Sequence, residues 1–155
     1  MAEYEDIRDR TVELARRPFV MPIEEIQLSA AFACLPDIEH VVERLIAELF
    51  SHENFHVRRV AINATRRAKV FGVSGLETAL TMQLGDSEAW VRYDAVWAVE
   101  DAGYDSPEIR RVLAGVAAGW TPGDGDTIRA NPGDAHAQAR VRARKALDVL
   151  SAKPY

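Results

Sequence analysis

The sequence predicts an all-α fold. Apolar residues recur at steps of three and four along nearly the whole chain, and no stretch alternates apolar with polar residues as a half-buried strand would. Proline, glycine and capping residues stand where helices begin and end. With 155 residues, 48% apolar and 28% charged, the chain has the size and balance of one globular domain and not of a disordered segment.

Taken in order, residues 1–22 read as an N-terminal capping helix, around Ile7 to Leu14, followed by a loop. Pro36 breaks the next segment and Asp37 stands as N-cap of a helix carrying Ile38, Val41, Val42, Leu45, Ile46, Leu49 and Phe50 on one face. Ser74 and Glu77 have capping-box spacing ahead of Leu76, Ala79, Leu80 and Leu84. Ser106-Pro107-Glu108 supplies a cap, a first-turn proline and an acid for the helix of Ile109, Val112, Leu113 and Val116. Gly119 through Gly133 reads as a loop insertion, residues 119–134, before the last helix.

One pattern recurs between these elements: an apolar residue, a polar residue, then alanine four and seven positions after the first. It stands at Val57-Arg58 with Ala61 and Ala64, at Val91-Arg92 with Ala95 and Ala98, and at Ala139-Arg140 with Ala143 and Ala146. A weaker copy is Ile26-Gln27 with Ala30 and Ala33. Alanine at these steps lets one helix approach its neighbours closely. With Leu84-Gly85-Asp86 through Arg92 as the best copy, the chain from about Ile23 to Leu150 resembles the HEAT-like repeat family, including its short bacterial members. The resemblance implies a single-domain, short right-handed α-solenoid of about four helical hairpins, of the armadillo type, with atypical end repeats.

Side-by-side stacking of the second helices places equivalent residues in rows: Leu28, Arg59, Tyr93 and Val141 in one, Phe32, Asn63, Trp97 and Lys145 in the other. Residues 51–72 are basic and 85–108 acidic, so an inter-repeat salt-bridge ladder is expected as well. An inner face holding Arg59, Asn63, Tyr93, Trp97 and Lys145 has the aromatic and guanidinium chemistry of a protein hot spot. The reading this favours is a non-catalytic binding module, an adaptor, inhibitor or immunity-type protein with another protein as partner; the alternative reading of Trp97 is a core filler.

Glu53 through Ile62, followed by Val91 to Trp97, also resembles the HEAT-like-repeat DNA glycosylases that excise alkylated bases. That resemblance implies phosphate contact at Arg59 and stacking at Trp97. The stretch Ile23-Glu24-Glu25-Ile26 has neither the Asp nor the aromatic companion of that family, which implies a DNA-binding and catalytically degenerate relative. A Glu24 or Glu25 side chain turned toward Arg59 favours the enzyme class, and both in solvent disfavour it.

His52-Glu53-Asn54-Phe55-His56 matches the zinc-hydrolase pattern, whose chemistry needs both imidazoles on one helical face. Here it falls on a turn and is followed by Arg58 and Arg59, so a zinc-dependent hydrolase is the distant third reading. Asp124-Gly125-Asp126 lacks the further oxygen ligands of a calcium loop. No metal and no cofactor is expected. The net charge of −5 argues against a generic nucleic-acid or membrane-surface binder. The acidic start of the chain and the lack of a run of ~18 apolar residues predict neither signal peptide nor membrane span. A single cysteine, Cys34, excludes an internal disulfide and predicts a reducing, cytoplasmic setting, with the thiol itself expected in the core.

Overall fold

The computed structural model describes residues 2–153 and is all-α, with no strand among them. No helix in that range is long and apolar enough to cross a membrane. In chain order the helices are α1 (Ala2–Val12), running on into a 3₁₀ turn (Glu13–Arg16), α2 (Pro22–Ala33), α3 (Ile38–Glu48), α4 (Phe55–Ala68), α5 (Leu76–Gln83), α6 (Ala89–Ala102), α7 (Pro107–Ala117), α8 (Asp124–Ala130) and α9 (Ala135–Ser151). They form two compact units, Met1–Ala79 and Leu80–Tyr155.

In the first unit α2 packs on α4, with α1 and α3 against them. Most of the apolar stripe predicted for α3 is buried: Val41 and Val42 are fully covered and Leu45 nearly so, as are Leu49 and Phe50 just past the helix end, whereas Ile38 and Ile46 are half buried. Asp37 stands at the N-cap of α3 in the left-handed region (φ 53°) and makes no side-chain cap bond. The turn of α1 that begins five residues before Ile7 is held by Tyr4. Its ring lies 5.4 Å from that of Phe32 and 4.1 Å from the Arg44 guanidinium. Burial, then the nearby Glu48 carboxylate, pushes the Tyr4 hydroxyl up to about 12. Arg8 and Arg44 converge on Glu48 at 3.0 and 2.7 Å, tying α1 to α3.

The weak first copy of the repeated pattern is out of register. Ile26 is half exposed, and Ala30 and Ala33 are only half buried. The buried residues of α2 are Glu25, Leu28, Ser29 and Phe32, which match Val57, Val60, Ala61 and Ala64 of α4 at a spacing of 32, not 31. Leu28 and Phe32 are therefore core residues, not members of a binding row. Alanine fits any helical position, so the apolar period alone slips by one here.

In the second unit α9 packs against α6, α7 and α8. The alanines of the pattern are all buried: Ala95 and Ala98 in α6, Ala143 and Ala146 in α9. Ser106 caps α7 as its sequence requires, its hydroxyl accepting from Ile109 N–H at 3.1 Å. Helix α5 begins one residue later than a Ser74 cap predicts, at Leu76, after Gly75 in the left-handed region (φ 84°). Segment 119–134 is not a plain loop either. It contains α8, whose first residue Asp124 is buried and gripped by Arg140 through Nε and Nη2 at 2.9 and 3.1 Å. That pair holds the Asp124 carboxyl below the usual aspartate range. Cys34 is another correction: it caps the end of α2 and is exposed, because the helix turns its buried stripe elsewhere.

Candidate functional site

The two best copies of the pattern build the same local device. In the first unit Arg58 Nη1 donates to the carbonyls of His52 and Glu53 at 2.9 and 3.0 Å. In the second, Arg92 Nη1 donates to those of Asp86 and Ser87 at 2.8 and 3.3 Å. The turn before each helix is closed by a side-chain acceptor at the same place: His52 Nδ1 takes the Asn54 N–H at 3.0 Å, and Asp86 Oδ1 takes the Glu88 N–H at 2.9 Å. Both helices end on a left-handed residue, Lys69 (φ 57°) and Gly103 (φ 71°). The arginine of the motif thus satisfies carbonyls of its own turn.

This also fixes the zinc-hydrolase pattern. His52 lies in the turn, outside α4, with Nδ1 taken by backbone, while His56 is in the first turn of the helix. The two imidazoles do not share a helical face. No group of three or more His, Cys, Asp or Glu side chains able to hold a metal occurs among the described residues. The carboxylates of Asp124 and Asp126 are engaged by Arg140 and Arg129.

The positions flanking the device carry the candidate site residues. In the first unit, Arg59 Nη1 lies 3.7 Å from Glu25 Oε1, and His56 Nδ1 lies 3.5 Å from Glu25 Oε2. The Glu25 side chain is only 11% exposed, so α2 turns a carboxylate inward onto a cation of α4. Glu24, by contrast, pairs with Arg17 near the surface and accepts from Met21 N–H at 2.8 Å, which holds its carboxyl below the usual range. Asn63 is tied within α4, donating to Arg59 O at 3.0 Å and accepting from Arg66 Nε at 3.3 Å.

In the second unit, Trp90, Tyr93 and Trp97 follow the i, i+3, i+7 spacing of α6 and are all half buried. Tyr93 meets Trp90 edge to face, with ring centroids 5.4 Å apart. The Arg142 guanidinium of α9 lies 3.8 Å from the centre of the Trp97 ring, and its Nη2 bonds Glu100 Oε2 at 2.9 Å. Burial raises the Glu100 carboxyl above the usual glutamate range, against the pull of Arg142. Lys145, one turn beyond Arg142, is exposed.

Periodicity alone missed Arg142, whose partner is 42 residues away. It also missed Phe19, Met21, Ile23 and Ile26, four exposed apolar residues within eight positions. A register search over α2 that allowed buried polar residues would have exposed Ile26. No family model, curated protein or solved structure matches the chain.

Proposed function

We propose that the chain is a HEAT-like helical-repeat module that binds another protein without catalysis. What carries the reading is the half-buried aromatic stripe Trp90, Tyr93 and Trp97, with Arg142 stacked on it. Tyr, Trp and Arg hold most of the energy in protein interfaces, and rigid aromatics lose little entropy on binding. Tyr93, Trp97 and Lys145 in the second unit, and Arg59 and Asn63 in the first, are the contact residues. The exposed run Phe19, Met21, Ile23 and Ile26 adds apolar surface of the kind partners cover.

A second reading, a DNA-binding relative of the alkylation-repair glycosylases, is favoured by one observation: Glu25 faces Arg59. Against it, the same contact offsets the charge of the arginine that phosphate would need. The test is capture from source-cell lysate, with and without nuclease, by wild type and by an Arg59→Ala/Trp97→Ala variant checked for folding. A nuclease-resistant protein lost only in the variant supports the protein-binding reading. Nucleic acid held by wild type and lost in the variant moves the assignment to the second. A protein held equally by both removes these residues from the contact.

A further inference from the structure

A cavity of about 480 Å³ opens within the second unit, in the size range of small-molecule sites. Its lining is unusual for a chain of net charge −5: Arg92 from α6, Arg111 from α7, and His136 and Arg140 from α9 all border it, over an apolar wall that includes Val112 and Val116. Asp86 borders it too, with Oδ1 accepting the Glu88 N–H. Three guanidinium groups and one carboxylate thus border one space, and a second carboxylate, Asp124, pairs with Arg140 from outside the lining.

Two of the three are held in place. Arg92 is fixed by the Asp86 and Ser87 carbonyls, and its Nη2 lies 3.4 Å from His136 Nδ1. A guanidinium only donates, so a hydrogen bond here makes Nδ1 the acceptor, which leaves Nε2 as the ring's donor. Arg140 spends Nε and Nη2 on Asp124 and keeps Nη1. Arg111 is exposed and has no hydrogen-bond or ion-pair partner among the described residues. Arg140 is already paired with Asp124, but Arg92 and Arg111 have no carboxylate partner among the described residues, and guanidinium forks match phosphate oxygens.

We propose that this cavity binds a small phosphate ester, its phosphate received by Arg92, Arg111, Arg140 and His136 and its organic part laid on the apolar wall. Phosphate is favoured over a carboxylate because its three terminal oxygens and double charge suit donors arriving from three helices. The site is independent of the aromatic stripe on α6 and of the protein-binding reading.

The test is an amide-resonance titration of the full chain with inorganic phosphate, adenosine 5′-monophosphate and adenosine. The expected result is saturable shifts centred on Arg92, Arg111 and His136 for the two phosphates and none for adenosine. Arg111→Gln, at an exposed position, is expected to weaken both by at least about tenfold with the rest of the spectrum unchanged. His136→Gln serves as second variant under the same criterion. Binding weaker than about 1 mM, shifts spread over the basic surface, or affinities equal in wild type and both variants would overturn the proposal.

Discussion

Helices α4 and α6, each with the turn before it, are two versions of one frame. Val57, Ala61 and Ala64 in the first correspond to Val91, Ala95 and Ala98 in the second, all buried. Arg58 and Arg92 hold equivalent carbonyls, and Lys69 and Gly103 end the helices in the same left-handed conformation. Between these fixed points the chemistry diverges. Where α4 has Arg59, Asn63, Arg66 and Arg67, α6 has Tyr93, Trp97, Glu100 and Asp101. The repeated positions satisfy packing and the backbone, which tolerate little change, while the positions between them are left to differ. The protein contacts we propose fall in the second set, whereas Arg92 of the first set borders the proposed phosphate site.

The comparison breaks most visibly in the core. Ala61→Leu and Ala95→Leu overfill fully buried positions and are expected to cost about 2–3 kcal/mol each in urea unfolding. Ser29→Leu belongs with them and Ala30→Leu, half buried, does not; equal costs for these two would contradict the register of α2. Next come the turn arginines. Arg58→Ala and Arg92→Ala each leave two carbonyls without their donor, with an expected loss of about 1–2 kcal/mol apiece.

The helix ends sharpen the comparison. A lysine in the left-handed region is strained where glycine is not, so Lys69→Gly is expected to stabilise by about 1 kcal/mol and Gly103→Ala to destabilise by about as much. Acid gives the smallest effect, and here two carboxyls of the second unit oppose each other. Arg140 lowers Asp124, so that contribution is complete above the ordinary aspartate range and is lost as pH falls through the lowered folded value. Burial raises Glu100, so its contribution runs the other way, with stability falling as pH rises from the ordinary glutamate range through the raised folded value. Urea midpoints against pH are expected to lose their acid decline in Asp124→Asn and their shallow decline on the alkaline side of that range in Glu100→Gln.

Much of this frame is legible in the sequence because it rests on local rules. The buried Val41, Val42 and Leu45 of α3 and the Ser106 cap follow from spacing within one or two turns, and both form. What escapes depends on contacts far apart in the chain. Helix α8 forms where glycine and proline predict a loop, with Arg140 holding Asp124 across 16 residues. The register of α2 is hidden because its buried stripe includes the polar Glu25 and Ser29. Cys34, a small apolar residue beside Leu35, lands exposed at a helix end for the same reason. At the candidate site, Tyr93 and Trp97 stand out as aromatics among small residues, whereas Arg142 over Trp97 needs the packing of α9 on α6.

The most direct test of the central claim pairs stability with partner capture for two variants on one helix. Arg92→Ala is expected to lower the urea midpoint and still capture the partner under native conditions. Tyr93→Ala, at a half-buried position, is expected to lose the partner while stability falls by no more than about 1 kcal/mol. The reverse pattern, capture lost with Arg92 and kept without Tyr93, would contradict the division between frame and face.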